Sequence, residues 1–82
     1  MNTDDIVTRI RRIVTTLCNV ETLRNDADIF QMGLLSSLYA LRLVESIERE
    51  FSVAIVDDDL KVANFSSIDA IARLIARLRT SS

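Results

Sequence analysis

The 82-residue chain contains no proline and a single glycine, Gly33. Tight turns between paired strands depend on glycine and proline, because the turn backbone adopts conformations that other residues resist. A chain with so few turn-forming residues is therefore predicted to fold into helices rather than hairpins. Only three phenylalanines and one tyrosine are present, so we expect a mainly aliphatic core.

Length, charge and cysteine use limit the class of protein. Residues 1–82 suffice for one small domain. Twelve acidic residues against ten basic ones, a net charge of −2, leave no basic excess for binding nucleic acid. The single cysteine, Cys18, cannot form an internal disulfide, which fits a reducing compartment. Met1–Asp5 is acidic where a signal peptide is basic, and no apolar run reaches membrane-spanning length. We therefore expect a cytoplasmic domain without a membrane partner.

Two segments near the ends of the chain repeat apolar residues at helical spacing. The first helix is predicted to begin after Thr3, its N-cap. Its inward-facing residues are Ile6, Ile10, Ile13, Val14 and Leu17. The arginines on its other side are Arg9, Arg11 and Arg12. The last helix begins at the Ser-x-x-acid signal of Ser66–Asp69. Its inward residues are Ile68, Ile71, Leu74, Ile75 and Leu78. Residues 79–82 are expected to form a frayed tail.

The middle of the chain contains a long loop and a short helix. From Cys18 to Ser36 the apolar residues lose their helical spacing, which predicts a partly packed loop, and loops of this length are often functional. A short third helix is expected at Asp57–Val62, after an extended stretch at 53–55. The sequence thus predicts an all-α fold, a small four-helix bundle with a short third helix and a long loop between helices 1 and 2.

The second helix, predicted at Ser37–Phe51, has apolar residues on both of its sides. The broad inward face consists of Ala40, Leu41, Leu43, Val44, Ile47 and Phe51. Leu38 and Tyr39 fall on the polar side, among charged residues. Exposed apolar groups surrounded by charges predict a docking patch made of Leu38, Tyr39, Arg42, Glu45 and Arg49. The alternative is an irregular first turn that tucks Leu38 into the core.

The serine pair Ser36–Ser37 follows Gly33 closely and opens this helix. The glycine allows the backbone to turn sharply just before the helix starts. A serine at a helix N-terminus lies where unpaired N–H groups and the helix dipole favour an anion, so its hydroxyl suits a phosphate ester. The chain has no histidine to act as a neighbouring base, which argues against a catalytic serine. Taken alone, such a serine is usually a helix cap.

The stretch Gly-Leu-Leu-Ser-Ser-Leu at 33–38 resembles the Gly-Leu-x-Asp-Ser-Leu motif of the acyl carrier protein family. Segments 53–60 and 65–71 resemble that family's approaches to its third and fourth helices. The family's spacing through the second helix is kept by Leu41, Leu43, Val44, Ile47, Glu48 and Phe51. The resemblance implies that a phosphopantetheinyl transferase moves the 4′-phosphopantetheine arm of coenzyme A onto Ser37. The thiol of the arm then carries an acyl or aminoacyl group as a thioester.

One position departs from the family motif. Ser36 stands where the family usually has aspartate, which bears on recognition by a given transferase. The hydrophobic register identifies Ser37 as the modified residue, because counting from it places Leu38, Leu41 and Phe51 on the family's positions. Counting from Ser36 breaks all three matches. Ser36 is then interpreted as the helix cap.

The resemblance implies a monomeric carrier that is not an enzyme, since the chemistry is done by partner enzymes. The sequence contains no Gly-rich phosphate loop, metal-ligand cluster or nucleophile–base pair. Asp57–Asp59 is interpreted as an acidic helix start rather than a cation site, and Cys18 as a packing residue. The last-helix arginines, interpreted as facing water and complementing the helix dipole, are Arg73, Arg77 and Arg79.

The charge of the second helix bears on which carrier this is. Residues 36–51 carry two arginines and three glutamates, a net of −1, whereas fatty-acid carriers are strongly acidic there. Because charge complementarity sets partner choice, we expect a discrete carrier of a specialised pathway, loaded by its own ligase with an amino acid or small acyl group. Two alternatives stay open: a fatty-acid or polyketide carrier, and an unmodified helical module for protein–protein interaction.

Overall fold

The computed structural model describes residues 3–33 and 37–81, with side chains except at 3, 37, 57, 80 and 81. The helices are α1 (Thr3–Cys18), α2 (Ser37–Phe51), α3 (Val62–Phe65) and α4 (Ile68–Ser81), and a 3-10 turn at Asp57–Asp59 precedes α3. The described residues form no strand, so the all-α prediction is confirmed. Within the same residues, no helix combines the length and apolar character needed to span a membrane.

The core is mainly aliphatic, with Phe51 and Phe65 as its buried aromatic residues, and gathers residues from every helix. Helix α1 packs against α4 and α2, and α3 packs against α4. The predicted inward positions are confirmed for Ile6, Ile10 and Val14 in α1, whereas Ile13 and Leu17 are half-buried. The largest fully buried side chains are Ile10, Val14, Ile29, Leu43, Ile47, Ile68, Ile71, Leu74 and Ile75.

Two of the three arginines predicted on the outer side of α1 bind other parts of the fold. Arg9 donates from Nε to Glu50 Oε2 at 2.6 Å, and its guanidinium lies 4.8 Å from the centre of the Phe51 ring. Arg11 donates from Nη1 to the Leu23 carbonyl at 2.6 Å and from Nη2 to the Asn25 side chain. The long arginine side chains extend around the helix to these acceptors. An arginine on the polar side of α1 therefore need not point into solvent.

Helices α1 and α2 end in the same way, without glycine. Asn19 and Ser52 follow the last helical residues with φ of 55° and 53°. The next amide in each case bonds back into the helix: Val20 to the Thr15 carbonyl at 3.1 Å, and Val53 to the Glu48 carbonyl at 3.2 Å. This left-handed cap satisfies the last carbonyls and reverses the chain direction.

The third helix differs from its prediction at Asp57–Val62. The 3-10 turn ends at Asp59, Lys61 is extended, and α3 begins only at Val62. The Asp59 carbonyl accepts hydrogen bonds from the Lys61 amide at 3.0 Å and the Asn64 side chain at 2.9 Å. These bonds hold the chain in a turn where a continuous helix would run.

Helix α4 begins one residue later than the Ser-x-x-acid signal implies. The Ala70 amide donates to Ser67 Oγ at 3.0 Å, so Ser67 is the N-cap, whereas Ser66 Oγ donates to the Ala63 carbonyl at 3.2 Å. At the other end the backbone of α4 is helical to Ser81, whereas a frayed tail is predicted from residue 79. The predicted cap of α1, Thr3 Oγ1, lies outside the described side chains.

The loop between α1 and α2 packs on the start of α4. The Ile29 amide donates to the Ser66 carbonyl at 2.8 Å, and the Asp69 amide donates to the Asn25 carbonyl at 2.9 Å. Leu23 and Ile29 are buried in the core, which confirms a partly packed loop. The loop reaches Gly33, whose φ of 73° lies in the left-handed region that a side chain resists.

Replacing Ser67 by alanine removes the cap of α4 and is expected to lower the free energy of unfolding by about 1 kcal/mol. Ser66→Ala is the matched control and should cost less than about 0.5 kcal/mol. Urea unfolding followed by circular dichroism measures both. A larger loss for Ser66→Ala would contradict the assignment of the cap to Ser67.

Gly33→Ala is expected to lower the free energy of unfolding by about 1–2 kcal/mol, since a Cβ disfavours the left-handed backbone. A Cβ at this position meets no heavy atom within 4 Å, so the cost lies in the backbone alone. Gly33→Asn is the control, because asparagine tolerates this conformation better. Equal losses for the two variants in a urea titration would argue against backbone strain as the cause.

Candidate functional site

Ser37 is the first residue of α2, and it follows Gly33, the last residue of a turn, by four positions in the sequence. That turn is closed by Asp28, whose Oδ1 accepts hydrogen bonds from the amides of Phe30 and Gln31 at 3.1 and 3.0 Å. The structure thus places the backbone of Ser37 at a helix N-terminus. The side chain of Ser37 and the predicted cap Ser36 lie outside the described part of the chain.

The first turn of α2 contains no acidic residue. The first acidic side chain along the helix is Glu45, two turns further on. The amides and dipole at this helix N-terminus are therefore not compensated by an acid within the helix's own first turn. Such an end favours an anionic group, including a phosphate ester.

Leu38 and Tyr39 point away from the core. Leu38 is 60% exposed and Tyr39 is 42% exposed, so the alternative in which Leu38 tucks into the core is wrong. Leu41, predicted to face inward, is 57% exposed. At ~100° per residue it lies about 120° from Ile47, which marks the centre of the buried face. The face that α2 buries is therefore narrower than predicted, with Leu43, Ile47 and Phe51 along its middle.

An apolar groove lies beside α2, with a volume of about 430 Å³. Its walls come from the loop between α1 and α2, from α2, and from α3 with the two residues before it. The lining residues are Phe30, Ala40, Leu41, Val44, Leu60, Lys61, Val62 and Phe65. Sequence reasoning missed this groove. The available signal was Leu60 and Val62, two apolar residues next to an acidic run, and both are exposed. The groove is an open apolar surface close to the start of α2.

The five predicted docking residues are all exposed on α2, and they are Leu38, Tyr39, Arg42, Glu45 and Arg49. The Arg42 guanidinium lies 6.0 Å from the centre of the Tyr39 ring. The other two glutamates of α2 are engaged within the protein. Glu48 Oε2 accepts a hydrogen bond from the Ile55 amide at 2.8 Å, and Glu50 binds Arg9.

Other candidate groups have structural surroundings. Asp59 lies 3.3 Å from Arg77, and no cluster of three metal-ligating side chains occurs among the residues that the structure describes. Arg77 therefore pairs with Asp59 in addition to being exposed to water, whereas Arg73 is exposed as predicted. Cys18 is half-buried, and this burial raises the pKa of its thiol, which disfavours the reactive thiolate.

Comparison with known proteins identifies the family. Residues 8–75 match a family model described as the phosphopantetheine attachment site. The chain is also 41% identical over 58 residues to acyl carrier protein 2 of Pseudomonas aeruginosa. The aligned region covers 68% of this chain and 73% of that protein. The family-model match at residues 8–75 spans α2, the groove and most of the buried core. The chain therefore belongs to the acyl carrier protein family, whose members are carriers with a covalently attached 4′-phosphopantetheine.

Proposed function

We propose that Ser37 bears the phosphopantetheine arm and that the arm holds an aminoacyl or small acyl group in a specialised biosynthetic pathway. The observation that carries the proposal is the position of Ser37 as the first residue of a helix without acids in its first turn. Exposed Leu38 and Tyr39 follow it directly. A transferase can therefore reach the helix start and find apolar groups to bind there.

The start of α2 fits the group chemically. A phosphodiester on Ser37 places a negative charge at the positive end of the helix dipole, where it is stabilised by roughly 0.3–1 kcal/mol at an exposed site. When attached, the arm supplies a thiol that holds a carboxylic acid as a thioester. The domain's own residues position the attachment point and present a docking surface, and partner enzymes perform the chemistry.

The groove beside α2 bears on the size of the cargo. Three of its walls, Leu41, Leu60 and Val62, are about half or more exposed, so the groove is open to solvent. Because burial stabilises an apolar chain in proportion to the area removed from water, an open groove does little for a long acyl chain. This favours a small acyl or aminoacyl group. A fatty-acid or polyketide chain is the alternative within the carrier class.

The proposed partners are a phosphopantetheinyl transferase, a ligase that loads the arm, and enzymes that take the cargo. The mixed charges of α2 support partners other than those of fatty-acid synthesis. The competing function from another class is an unmodified interaction module. It needs exposed Leu38 and Tyr39 but makes no use of the Ser37 hydroxyl.

Incubating the chain with coenzyme A and a broad-specificity transferase is expected to add the mass of one phosphopantetheine. Ser37→Ala should abolish the addition, and Ser36→Ala, the matched control, should retain it. Intact mass spectrometry measures all three proteins, with a known carrier as the positive control for the transferase. Modification of Ser37→Ala would move the site elsewhere, and an unmodified wild type would favour the interaction module.

Leu38→Glu is expected to change the free energy of unfolding by less than about 0.5 kcal/mol, as an exposed position allows. It should nevertheless slow phosphopantetheine transfer, because it removes an apolar docking contact. Val56→Glu is the control, since Val56 is equally exposed but lies outside α2. Equal transfer rates for the two variants, measured by time-resolved intact mass, would remove Leu38 from the docking surface.

A further inference from the structure

The acids of α2 do not all face a partner. Glu48 bonds the Ile55 amide at 2.8 Å and so holds the segment after α2 against the helix. Glu50 binds Arg9 of α1 through its carboxylate and its carbonyl. Each carboxylate is thus committed to a bond within the fold. Arg9 neutralises Glu50, so a count of charges along the helix overstates the negative charge that a docking protein meets. The charge of Glu48 remains, but its carboxylate is directed to the Ile55 amide.

The arginines of α2 remain available. Arg42 and Arg49 are exposed, and neither forms an ion pair with any residue in the described ranges 3–33 and 37–81. Arg42 lies near the Tyr39 ring, which leaves its charge in place. Of the acids, only Glu45 is exposed and unengaged in the described part of α2.

These free charges share one side of α2 with two exposed leucines. At ~100° per residue, the side chains within about 60° of Leu38 include Leu41, Arg42, Glu45 and Arg49. Ile47, at the centre of the buried face, lies about 180° from Leu38 on the same scale. We call Leu38, Leu41, Arg42, Glu45 and Arg49 the outer stripe of α2. Two arginines and one glutamate give the stripe a charge of +1, on a chain whose net charge is −2.

We infer that the outer stripe docks onto an acidic partner surface, with carboxylates for Arg42 and Arg49 beside an apolar recess for Leu38 and Leu41. The inference rests on the proposed function, because it names the chemistry of the partner enzymes that meet Ser37. A positive stripe on a negative molecule orients the approach, since an acidic surface attracts this side and repels the others. The transferase that modifies this chain is one such partner.

The test compares two double variants with the same change in net charge. Arg42→Glu with Arg49→Glu reverses the stripe, and Arg12→Glu with Arg73→Glu changes exposed arginines of α1 and α4. The probe is the phosphopantetheinyl transferase of the organism that makes this chain, assayed with coenzyme A by intact mass. Circular dichroism confirms that each variant is folded, and Arg42→Gln with Arg49→Gln repeats the test without added acids.

We expect the stripe reversal to raise KM for the carrier roughly tenfold with little change in kcat, and the control pair to change KM less than about twofold. Wild-type KM should rise with salt, because screening weakens exposed charge pairs. Equal effects of the two pairs, or a lower KM after stripe reversal, would overturn the inference and leave the carrier function standing. No modification of the wild type would overturn both. A wild-type dimer in sedimentation that the stripe reversal dissociates would instead identify a second copy as the occupant.

Discussion

The two backbone hydrogen bonds between the long loop and the start of α4 determine where the functional end of the molecule lies. The amide of Ile29 donates to the carbonyl of Ser66, and the carbonyl of Asn25 accepts from the amide of Asp69. With Ile29 buried beneath them, they fix the loop against the core. The same loop places Phe30 in the wall of the groove, and α2 begins after it, at Ser37. The site is thus held by a loop that is packed on α4 like an element of the core.

The helices and most of the core could be predicted because helical spacing records which side chains are removed from water. The ends and connections could not, because they depend on contacts distant in the sequence. Ser67 caps α4 although Ser66 begins the recognisable signal, and the carbonyl of Asp59 interrupts the predicted third helix. Leu41 is exposed because the buried face of α2 is narrow, which depends on how neighbouring helices cover it. The motif around Ser37 is continuous in the sequence, so it could be identified from the sequence alone. The groove is assembled from three segments that are distant in the sequence, so it could not be predicted.

Helix α2 uses two of its glutamates within the fold and leaves its two arginines exposed. Glu48 and Glu50 lie toward its C-terminus and bind the backbone of the following segment and Arg9 of α1. Arg42 and Arg49 remain on the exposed side with Glu45. A sum over the sequence gives −1 for residues 36–51, whereas the free side chains of the outer stripe sum to +1. The sign of the charge on this exposed side is therefore a property of the fold and differs from the sign of the helix's composition.

The same reasoning extends to Ser36, which stands where the family motif usually has aspartate. An aspartate there would add a negative charge next in sequence to Ser37, the proposed attachment residue and the first residue of α2. With serine, the start of the helix carries no acid from position 36 through its first turn, and the phosphodiester would be the first negative charge placed there. This neutral start continues directly into the positive outer stripe. A transferase that recognises acidic carriers through basic residues would find no acid at the neutral start and repulsion at the positive stripe. In the proposed docking, the serine and the two arginines therefore act in the same direction on the choice of partner.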